Sequence, residues 1–212
     1  MRIGLFGGTF NPIHIGHVAL AESVAEGLAL DTVYLIPSKV PPHKKEGIIG
    51  PELRLKMTEL VADRMGGKFV VSDFEINAEG TSYTLKTLRH FREMFPDEEL
   101  FFACGTDIFA TIGKWYDYMK LFDYANFVVV SRSMMSFDDL LKTIPQALLE
   151  KVVPVEEFKD EKSGKIILHK MSEVDISSTE IRDIVEESYR KANLPDGVYE
   201  YIEQNRLYRG DK

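Results

Sequence analysis

The sequence predicts an α/β fold with a doubly wound parallel sheet, and three observations support it. Short apolar runs alternate along the chain with longer stretches of helical period, which is typical of α/β proteins. Most of the short runs are continuously apolar, as are strands that are buried on both faces of a parallel sheet. No internal repeat or low-complexity segment interrupts the alternation, and 212 residues suit one domain.

Each predicted element has its own signal in the sequence. Six β-rich runs are predicted as strands: residues 2–6, 32–36, 69–72, 100–104, 127–131 and 166–169. Five stretches have apolar residues at helical spacing: residues 17–28, 51–65, 83–95, 137–149 and 179–189. Residues 38–50 and 77–82 are predicted as long loops, which in compact domains often carry function. We expect a single domain over residues 1–212, with residues 176–212 as a C-terminal helical part.

The charge balance argues against a nucleic-acid partner. Lys and Arg total 26 against 34 Asp and Glu, a net charge of −8, and no basic cluster stands out. The chain has no apolar run long enough to span a membrane, and its first residues lack the pattern of a secretory signal. Its one cysteine, Cys104, lies in an apolar run and is expected to be a packed, reduced thiol. We therefore expect a soluble cytoplasmic protein with no membrane partner, and homo-oligomer formation stays open.

The first predicted strand leads into the segment GGTFNPIHIGH, residues 7–17, which opens a helix. Two glycines after a strand let the backbone approach a phosphate, and the helix start supplies N–H groups and the positive end of a dipole. The spacing differs from the GxGxxG and GxxxxGK[ST] patterns, which disfavours hydride transfer. We predict that this segment binds phosphate through Gly7, Gly8, Thr9 and Phe10.

His14 and His17 are the candidate catalytic residues. Because they are three positions apart at a helix start, they project from one turn and can reach one anion. The spacing alone also fits half of a metal site or a solvated pair. No cysteine or glutamate motif of familiar spacing completes a zinc site, so we favour the anion and expect no metal held by the protein.

The pattern HxGH in this setting resembles the signature of the nucleotidyltransferase superfamily, whose members transfer a nucleotidyl group from a nucleoside triphosphate. The string HIGH also resembles class I aminoacyl-tRNA synthetases, and KMSEV, residues 170–174, is similar to their second motif. A synthetase needs an anticodon-binding region and usually far more chain, and Glu173 stands where a second lysine is expected. The nucleotidyltransferase interpretation is therefore favoured.

A second motif, ISSTEIR, residues 176–182, follows the last predicted strand. Ser177 and Glu180 fit a helix capping box, which is a purely structural interpretation. The hydroxyls of Ser178 and Thr179, with Arg182 one turn later, also form a cradle for the β- and γ-phosphates of ATP. The two motifs can meet because strand carboxyl ends share one crevice in a doubly wound sheet. We predict ATP binding by Ile176, Ser177, Ser178, Thr179 and Arg182.

From residue 3 to about residue 206 the chain resembles bacterial-type nicotinate-nucleotide adenylyltransferases. The resemblance rests on GGTFNPxHxGH, on PSKVPPHK (residues 37–44), on GTSYTLKTL (residues 80–88) and on the single tryptophan, Trp115. It implies a Rossmann-like nucleotidyltransferase fold. It also implies adenylyl transfer from ATP, with Mg²⁺, to nicotinate mononucleotide, giving nicotinate adenine dinucleotide and pyrophosphate. The alternatives are transfer to another phosphate such as phosphopantetheine, and a non-catalytic nucleotide sensor.

The resemblance locates acceptor recognition in the segment that follows residue 80. Main-chain N–H groups of Tyr83 and Thr84, at a predicted helix start, are expected to receive the pyridine carboxylate, next to Ser82. Trp115 is expected to stack on the pyridine ring. Without the resemblance, Ser82 is an ordinary helix cap, Tyr83 a core aromatic residue and Trp115 a packed tryptophan.

Other loops contribute further candidates. His43 and Lys44 follow a stiff Pro-Pro pair and are expected to face phosphates, or else to belong to a solvated basic loop. Gly105 and Asp107 follow the fourth predicted strand, where the resemblance implies a contact with a ribose hydroxyl, and a helix cap is the alternative. The ATP side is expected to include Ser131 and Arg132.

Two positions depart from the family pattern. Asn11 stands where many relatives carry Asp, so a carboxylate is absent there. Ala78 and Glu79 stand where a basic residue often precedes the GxSYT element. The second departure affects detail in the acceptor loop and leaves the predicted class unchanged.

Overall fold

The computed structural model describes residues 1–41, 47–131, 135–172, 174, 176–184 and 186–209. Within them, seven strands form one parallel sheet in the order β3-β2-β1-β4-β5-β7-β6. The strands are β1 (Arg2–Gly8), β2 (Thr32–Pro37), β3 (Phe69–Val71), β4 (Glu99–Gly105), β5 (Asn126–Ser131), β6 (Val152–Pro154) and β7 (Ile166–Lys170).

Helices of the described residues cover both faces of the sheet. They are α1 (Ile15–Gly27), α2 (Pro51–Met65), α3 (Phe74–Asn77), α4 (Thr84–Met94), α5 (Thr106–Phe109), α6 (Tyr118–Leu121), α7 (Phe137–Thr143), α8 (Ser178–Asp183), α9 (Glu187–Asn193) and α10 (Val198–Gln204). Short 3₁₀ turns lie at Ile112–Lys114, Gln146–Lys151 and Val155–Glu157. Side chains alternate along β4, so that Phe101 belongs to the core cluster that includes α1, α2 and α10, whereas Phe102 belongs to the cluster that includes α4 and α7. The predicted doubly wound α/β fold is confirmed.

The direction of winding reverses at β1. This strand pairs with β2 on one side and with β4 on the other. In such sheets, ligands bind in the crevice at the carboxyl ends of the strands that flank the reversal. Gly8 ends β1 and Gly105 ends β4. The crevice therefore lies where the sequence predicts phosphate binding.

Two predicted helices are interrupted in the structure. The predicted helix 137–149 ends at Thr143, since Pro145 has no N–H with which to continue it. The predicted helix 179–189 is two helices, α8 and α9. The Arg190 side chain donates to the carbonyls of Ile181 and Ile184 at the end of α8, over 3.2 and 3.0 Å, and so caps that helix.

Strand β6 and helix α10 have no clear signal in the sequence. β6 has three residues, which are too few to show a pattern. α10 buries only Val198 and Ile202. Their positions follow from packing against the rest of the molecule.

Candidate active site

The loop after β1 has a shape that requires glycine at its start. Phe10 has a φ of +47°, in the left-handed region. A Cβ on Gly8 would lie 2.5 Å from the Phe10 ring, so a side chain there would displace the phenylalanine. The loop therefore brings bare backbone to the carboxyl edge of the sheet, as phosphate binding needs.

The two histidines lie together at the start of α1. Their ring centroids are 3.8 Å apart. The main-chain N–H of His14, the N-cap residue, donates to Nδ1 of His17 over 3.2 Å. A ring nitrogen that accepts a hydrogen bond carries no proton, so the proton of the neutral His17 ring is on Nε2. The edge-to-face Phe10 ring, with centroids 5.1 Å apart, further orients His17.

The C-terminal motif packs directly against this helix start. The hydroxyl of Ser178 donates to the carbonyl of Pro12 over 3.0 Å. Ile176 packs on Gly16, where an added Cβ would lie 2.9 Å from the Ile176 side chain. The two motifs, far apart in sequence, are therefore in contact. Because the Ser178 hydroxyl uses its one proton on Pro12, it has none to donate to a phosphate in this conformation.

The capping box predicted in the second motif is confirmed. The hydroxyl of Ser177 accepts from the N–H of Glu180 over 3.2 Å, and the Glu180 carboxylate accepts from the N–H of Ser177 over 2.8 Å. Arg182 donates to the Asn11 carbonyl over 2.7 Å and to the Thr179 hydroxyl over 3.2 Å. Arg182 thus ties the second motif to the first, and its contact with phosphate stays a prediction.

A cleft of about 560 Å³ opens at the carboxyl ends of β1 and β4, a size typical of small-molecule sites. Most predicted site residues line it: Gly7, Gly8, Thr9, Phe10, His14, His17, Ser82, Tyr83, Thr84, Gly105, Asp107, Trp115, Ile176, Ser177, Ser178 and Thr179. Ser131 and Arg182 are not among its lining residues. His43, Lys44 and Arg132 lie outside the described residues.

The predicted carboxylate site lies at the start of α4. Tyr83, rather than Ser82, is the N-cap, and the Ser82 hydroxyl accepts from the N–H of Lys39 over 3.1 Å. The N–H of Tyr83 donates to the Thr81 carbonyl over 3.0 Å, so it is used within the turn. Thr84 begins the helix, and its N–H belongs to the first turn, whose amides have no partner inside the helix. The prediction is therefore restricted to the first turn of α4, from Thr84 onward.

Aromatic rings line this end of the cleft. Trp115 is held by a hydrogen bond from Nε1 to the Thr111 hydroxyl, 2.9 Å long, and by an edge-to-face contact with Phe102 at 6.3 Å between centroids. The rings of Tyr83 and Tyr116 stack with centroids 4.9 Å apart. The indole orientation is thus set by its neighbours before any ligand binds.

The end of β4 contributes charged groups to the cleft. Gly105 is the N-cap of α5 and Asp107 lies in its first turn, so Asp107 does not occupy the N-cap position. Lys114 and Glu75, which no sequence motif singles out, also line the cleft. Their positions depend on the packing of the 3₁₀ turn and of α3, which local pattern does not specify.

A buried arginine links the loop after β1 to the loop after β2. Arg54 on α2 is fully buried. Its guanidinium donates to the carbonyls of Thr9, Lys39 and Ile49 over 2.6, 3.2 and 3.1 Å. Burial lowers the pKa of Arg54, but arginine stays protonated in proteins. The sequence does carry a signal for this residue, because a charge on the apolar face of a helix needs partners.

Asn11 suits its position because its side-chain amide both donates and accepts hydrogen bonds. Its Nδ2 donates to the Gly47 carbonyl over 2.8 Å, and its Oδ1 accepts from the N–H of Ile49 over 3.3 Å and from the Tyr208 hydroxyl over 2.9 Å. A carboxylate has no donor for the Gly47 carbonyl. Burial raises the pKa of Tyr208, which keeps its hydroxyl protonated as a donor.

Neither a metal site nor a membrane span is found in the described part of the chain. Among the described residues, no group of three or more His, Cys, Asp or Glu side chains is placed to hold a metal ion. Across the same part of the chain, no helix has the length and apolar character to cross a membrane.

Comparisons with known proteins agree with the geometry. Residues 5–184 match the cytidylyltransferase-like family. The chain is 37% identical to the probable nicotinate-nucleotide adenylyltransferase of Shewanella pealeana, over all of this chain and 97% of that protein. It is 38% identical to the protein of the same name from Geobacter sulfurreducens, over the full length of both. The solved structure of Plasmodium falciparum nicotinic acid mononucleotide adenylyltransferase complexed with NaAD has a similar fold, with a TM-score of 0.77, 19% identity, and coverage of 99% of this chain and 98% of that one.

Proposed function

The chain belongs to the nicotinate-nucleotide adenylyltransferase family, and we propose that it transfers the adenylyl group of ATP to nicotinate mononucleotide. The products are nicotinate adenine dinucleotide, a precursor of NAD, and pyrophosphate. One observation carries the proposal: His17 of the first motif and Ser178 of the second line one cleft, whose other end is formed by Thr84 and Trp115. The cleft therefore joins a phosphate-binding end to an aromatic end.

The reaction needs no protein nucleophile. The 5′-phosphate of the acceptor is anionic at neutral pH, and one of its oxygens attacks the α-phosphorus of ATP. The bond from the α-phosphorus to the bridging oxygen breaks, and pyrophosphate leaves with that oxygen. Catalysis then consists of holding the reactants in line and stabilising the charge that develops.

His17 is the residue that we assign to charge stabilisation. Its Nδ1 accepts from the His14 N–H, so Nε2–H is the donor that the neutral ring offers. We expect this donor to contact a non-bridging oxygen of the α-phosphate in the transition state. His14, with its ring 3.8 Å away, orients the phosphates.

The triphosphate is bound mainly by main-chain donors. The Gly7 to Phe10 loop and the first turn of α1 present N–H groups and the positive end of a 13-residue helix. Thr179 adds a hydroxyl from the second motif. Ser178 holds the second motif against Pro12 and contributes its main chain.

The acceptor occupies the aromatic end. The first turn of α4, beginning at Thr84, directs N–H groups and a helix dipole at the pyridine carboxylate. Trp115 stacks on the pyridine ring, and Asp107 contacts a ribose hydroxyl. His43 and Lys44 contact the acceptor phosphate.

We expect Mg²⁺ to enter with ATP. Since the described residues assemble no group of three metal ligands, phosphate oxygens and water would hold the ion, which suits its preference for keeping several waters. When bound, it neutralises charge on the departing pyrophosphate. We further propose that the enzyme acts in the cytoplasm as one domain, on small molecules alone, and its net charge of −8 supports the lack of a nucleic-acid partner.

One assay tests the proposal. Pyrophosphate release from ATP is measured with nicotinate mononucleotide, nicotinamide mononucleotide or phosphopantetheine as acceptor, and nicotinate mononucleotide should give the highest kcat/KM. A preference for the amide would show that the carboxylate site at α4 is wrongly assigned, and a preference for phosphopantetheine would reject the acceptor. Binding of ATP with no release for any acceptor would indicate a sensor.

A further inference from the structure

A buried carboxylate lies behind the acceptor end of the cleft. Glu75 on α3 is 8% exposed and lines the cleft. Its Oε1 accepts from the Thr87 hydroxyl over 2.5 Å, and the nearby Ser82 hydroxyl lowers its pKa. A carboxylate with so little access to water needs such donors.

The two hydroxyls flank the start of α4. Ser82 precedes the N-cap residue, and Thr87 is the fourth residue of the helix. The Ser82 oxygen accepts from the N–H groups of Lys39, at 3.1 Å, and Val40, at 3.4 Å, in the loop after β2. The bond from Thr87 to Glu75 therefore joins α4 to α3, next to the serine that holds the loop after β2.

The contact with Thr87 is strongest when the carboxylate is ionised. Both of its oxygens then accept, and a hydrogen bond to a charged acceptor is stronger than one to a neutral group. Burial raises the pKa of Glu75, whereas the Thr87 and Ser82 hydroxyls and the charge of Arg54 lower it. Among the described residues, Arg54 from α2 is the charged group that acts on this carboxylate, while α4 and the turn before it present the two hydroxyls.

We propose that Glu75 is a positioning residue for the acceptor: it holds the hydroxyl of Thr87 and so aims the first turn of α4 at the pyridine carboxylate. The proposal rests on the proposed function, since it concerns the same acceptor. Glu75 acts through α4 and makes no contact with the reacting phosphates. It therefore affects binding of the acceptor and leaves binding of ATP unchanged.

Two substitutions separate positioning from general stability. Glu75→Gln replaces the charged acceptor of the Thr87 hydroxyl with a neutral amide, and Thr87→Val removes the donor. Each should raise KM for nicotinate mononucleotide about tenfold, the effect of about one hydrogen bond to a charged group. KM for ATP should stay within about twofold, and the preference for nicotinate over nicotinamide mononucleotide should decrease, because the carboxylate loses its aligned donors.

Thr58→Val is the matched control. Thr58, like Thr87, is a buried threonine, but its hydroxyl donates to the Arg54 carbonyl within α2, over 2.8 Å. It should leave both KM values unchanged. An acceptor KM that stays at the wild-type value in Glu75→Gln and Thr87→Val overturns the proposal, as does an equal rise in both KM values or a Thr58→Val effect as large as that of Thr87→Val.

The pH profile gives a second readout. As pH falls through the pKa of Glu75, which burial raises, the Thr87 hydroxyl loses its charged acceptor, and the wild-type KM for the acceptor should rise relative to that of Glu75→Gln. The acceptor phosphate titrates equally in the assays of the wild type and of Glu75→Gln. The ratio of the two acceptor KM values therefore reports the ionisation of Glu75 alone. A ratio that stays constant down to the pH at which the enzyme unfolds refutes the proposal. Wild-type enzyme that releases no pyrophosphate with nicotinate mononucleotide would reject the proposed function instead.

Discussion

Replacement of Gly16 by alanine tests the contact between the two motifs. Gly16 is the second residue of α1, and a Cβ there would lie 2.9 Å from Cγ2 of Ile176 and 3.1 Å from the ring of His14. Non-bonded carbon atoms are most stable at about 3.5–4.0 Å. The helix start, Ile176 or the imidazole must therefore move by roughly 0.5–1 Å.

The expected effect is larger on turnover than on stability. Overpacking of this kind costs about 1–3 kcal/mol, and the better helix propensity of alanine offsets about 1 kcal/mol. The free energy of unfolding should therefore fall by at most about 2 kcal/mol. A displacement of about 1 Å at His14 and His17, the proposed catalytic residues, costs about 10²-fold in rate, so kcat for pyrophosphate release should fall by that factor.

Urea unfolding and steady-state pyrophosphate release measure the two effects. Gly67→Ala is the control, because a Cβ on Gly67 meets nothing within 4 Å. Ile176→Ala removes the atom that alanine at position 16 would strike, so the double variant should recover part of the lost turnover. A Gly16→Ala enzyme with wild-type kcat would refute the reasoning. A double-mutant cycle would also refute it if the effects of Gly16→Ala and Ile176→Ala on the activation free energy added to within about 0.5 kcal/mol.

Three further predictions concern other parts of the site and the core. His17→Ala should keep its fold and lose about 10²–10³-fold in kcat, measured as pyrophosphate release, and near-normal turnover would remove His17 from the chemistry. Arg54→Met leaves three loop carbonyls without their donor, so urea unfolding should show a loss of about 3–5 kcal/mol, and a loss below about 1 kcal/mol would contradict this role. Burial lowers the pKa of His169, which hydrogen-bonds the Ser23 hydroxyl at 2.8 Å; the unfolded chain thus binds the proton first, and stability should fall as pH drops below about 6.5. In His169→Gln the free energy of unfolding should depend less on pH in this range, and an unchanged pH dependence would exclude His169 as its source.

Elements whose signal is local can be predicted from the sequence. The strand at 2–6 and the helix at 51–65 follow from consecutive residues, because burial on both faces and helical period are properties of a short segment. Pro145 shows the limit: the apolar period continues past it, but its missing N–H ends the helix before it. The capping box at Ser177 and Glu180 is likewise local, and it forms as predicted.

The acceptor end was predicted only in part. The family resemblance locates Trp115 and Thr84, and both line the cleft. The hydrogen bond from the Tyr83 amide to Thr81 and the bond from Lys39 to Ser82 depend on how two loops meet. Sequence spacing within one loop carries no information about that meeting.

The amino-acid sequence by itself determines the parallel α/β class, the glycine-containing loop after the first strand and the hydroxyl-rich helix start after the last one. Only the tertiary structure shows that Ser178 uses its proton on Pro12, that Arg54 binds three carbonyls in two loops, and that Glu75 lines the cleft. The physical reason is the distance along the chain over which each kind of interaction acts. Periodicity, capping and turn chemistry act between neighbouring residues, whereas the partner of a buried polar group is chosen by whichever donor or acceptor the packed core brings within about 3 Å.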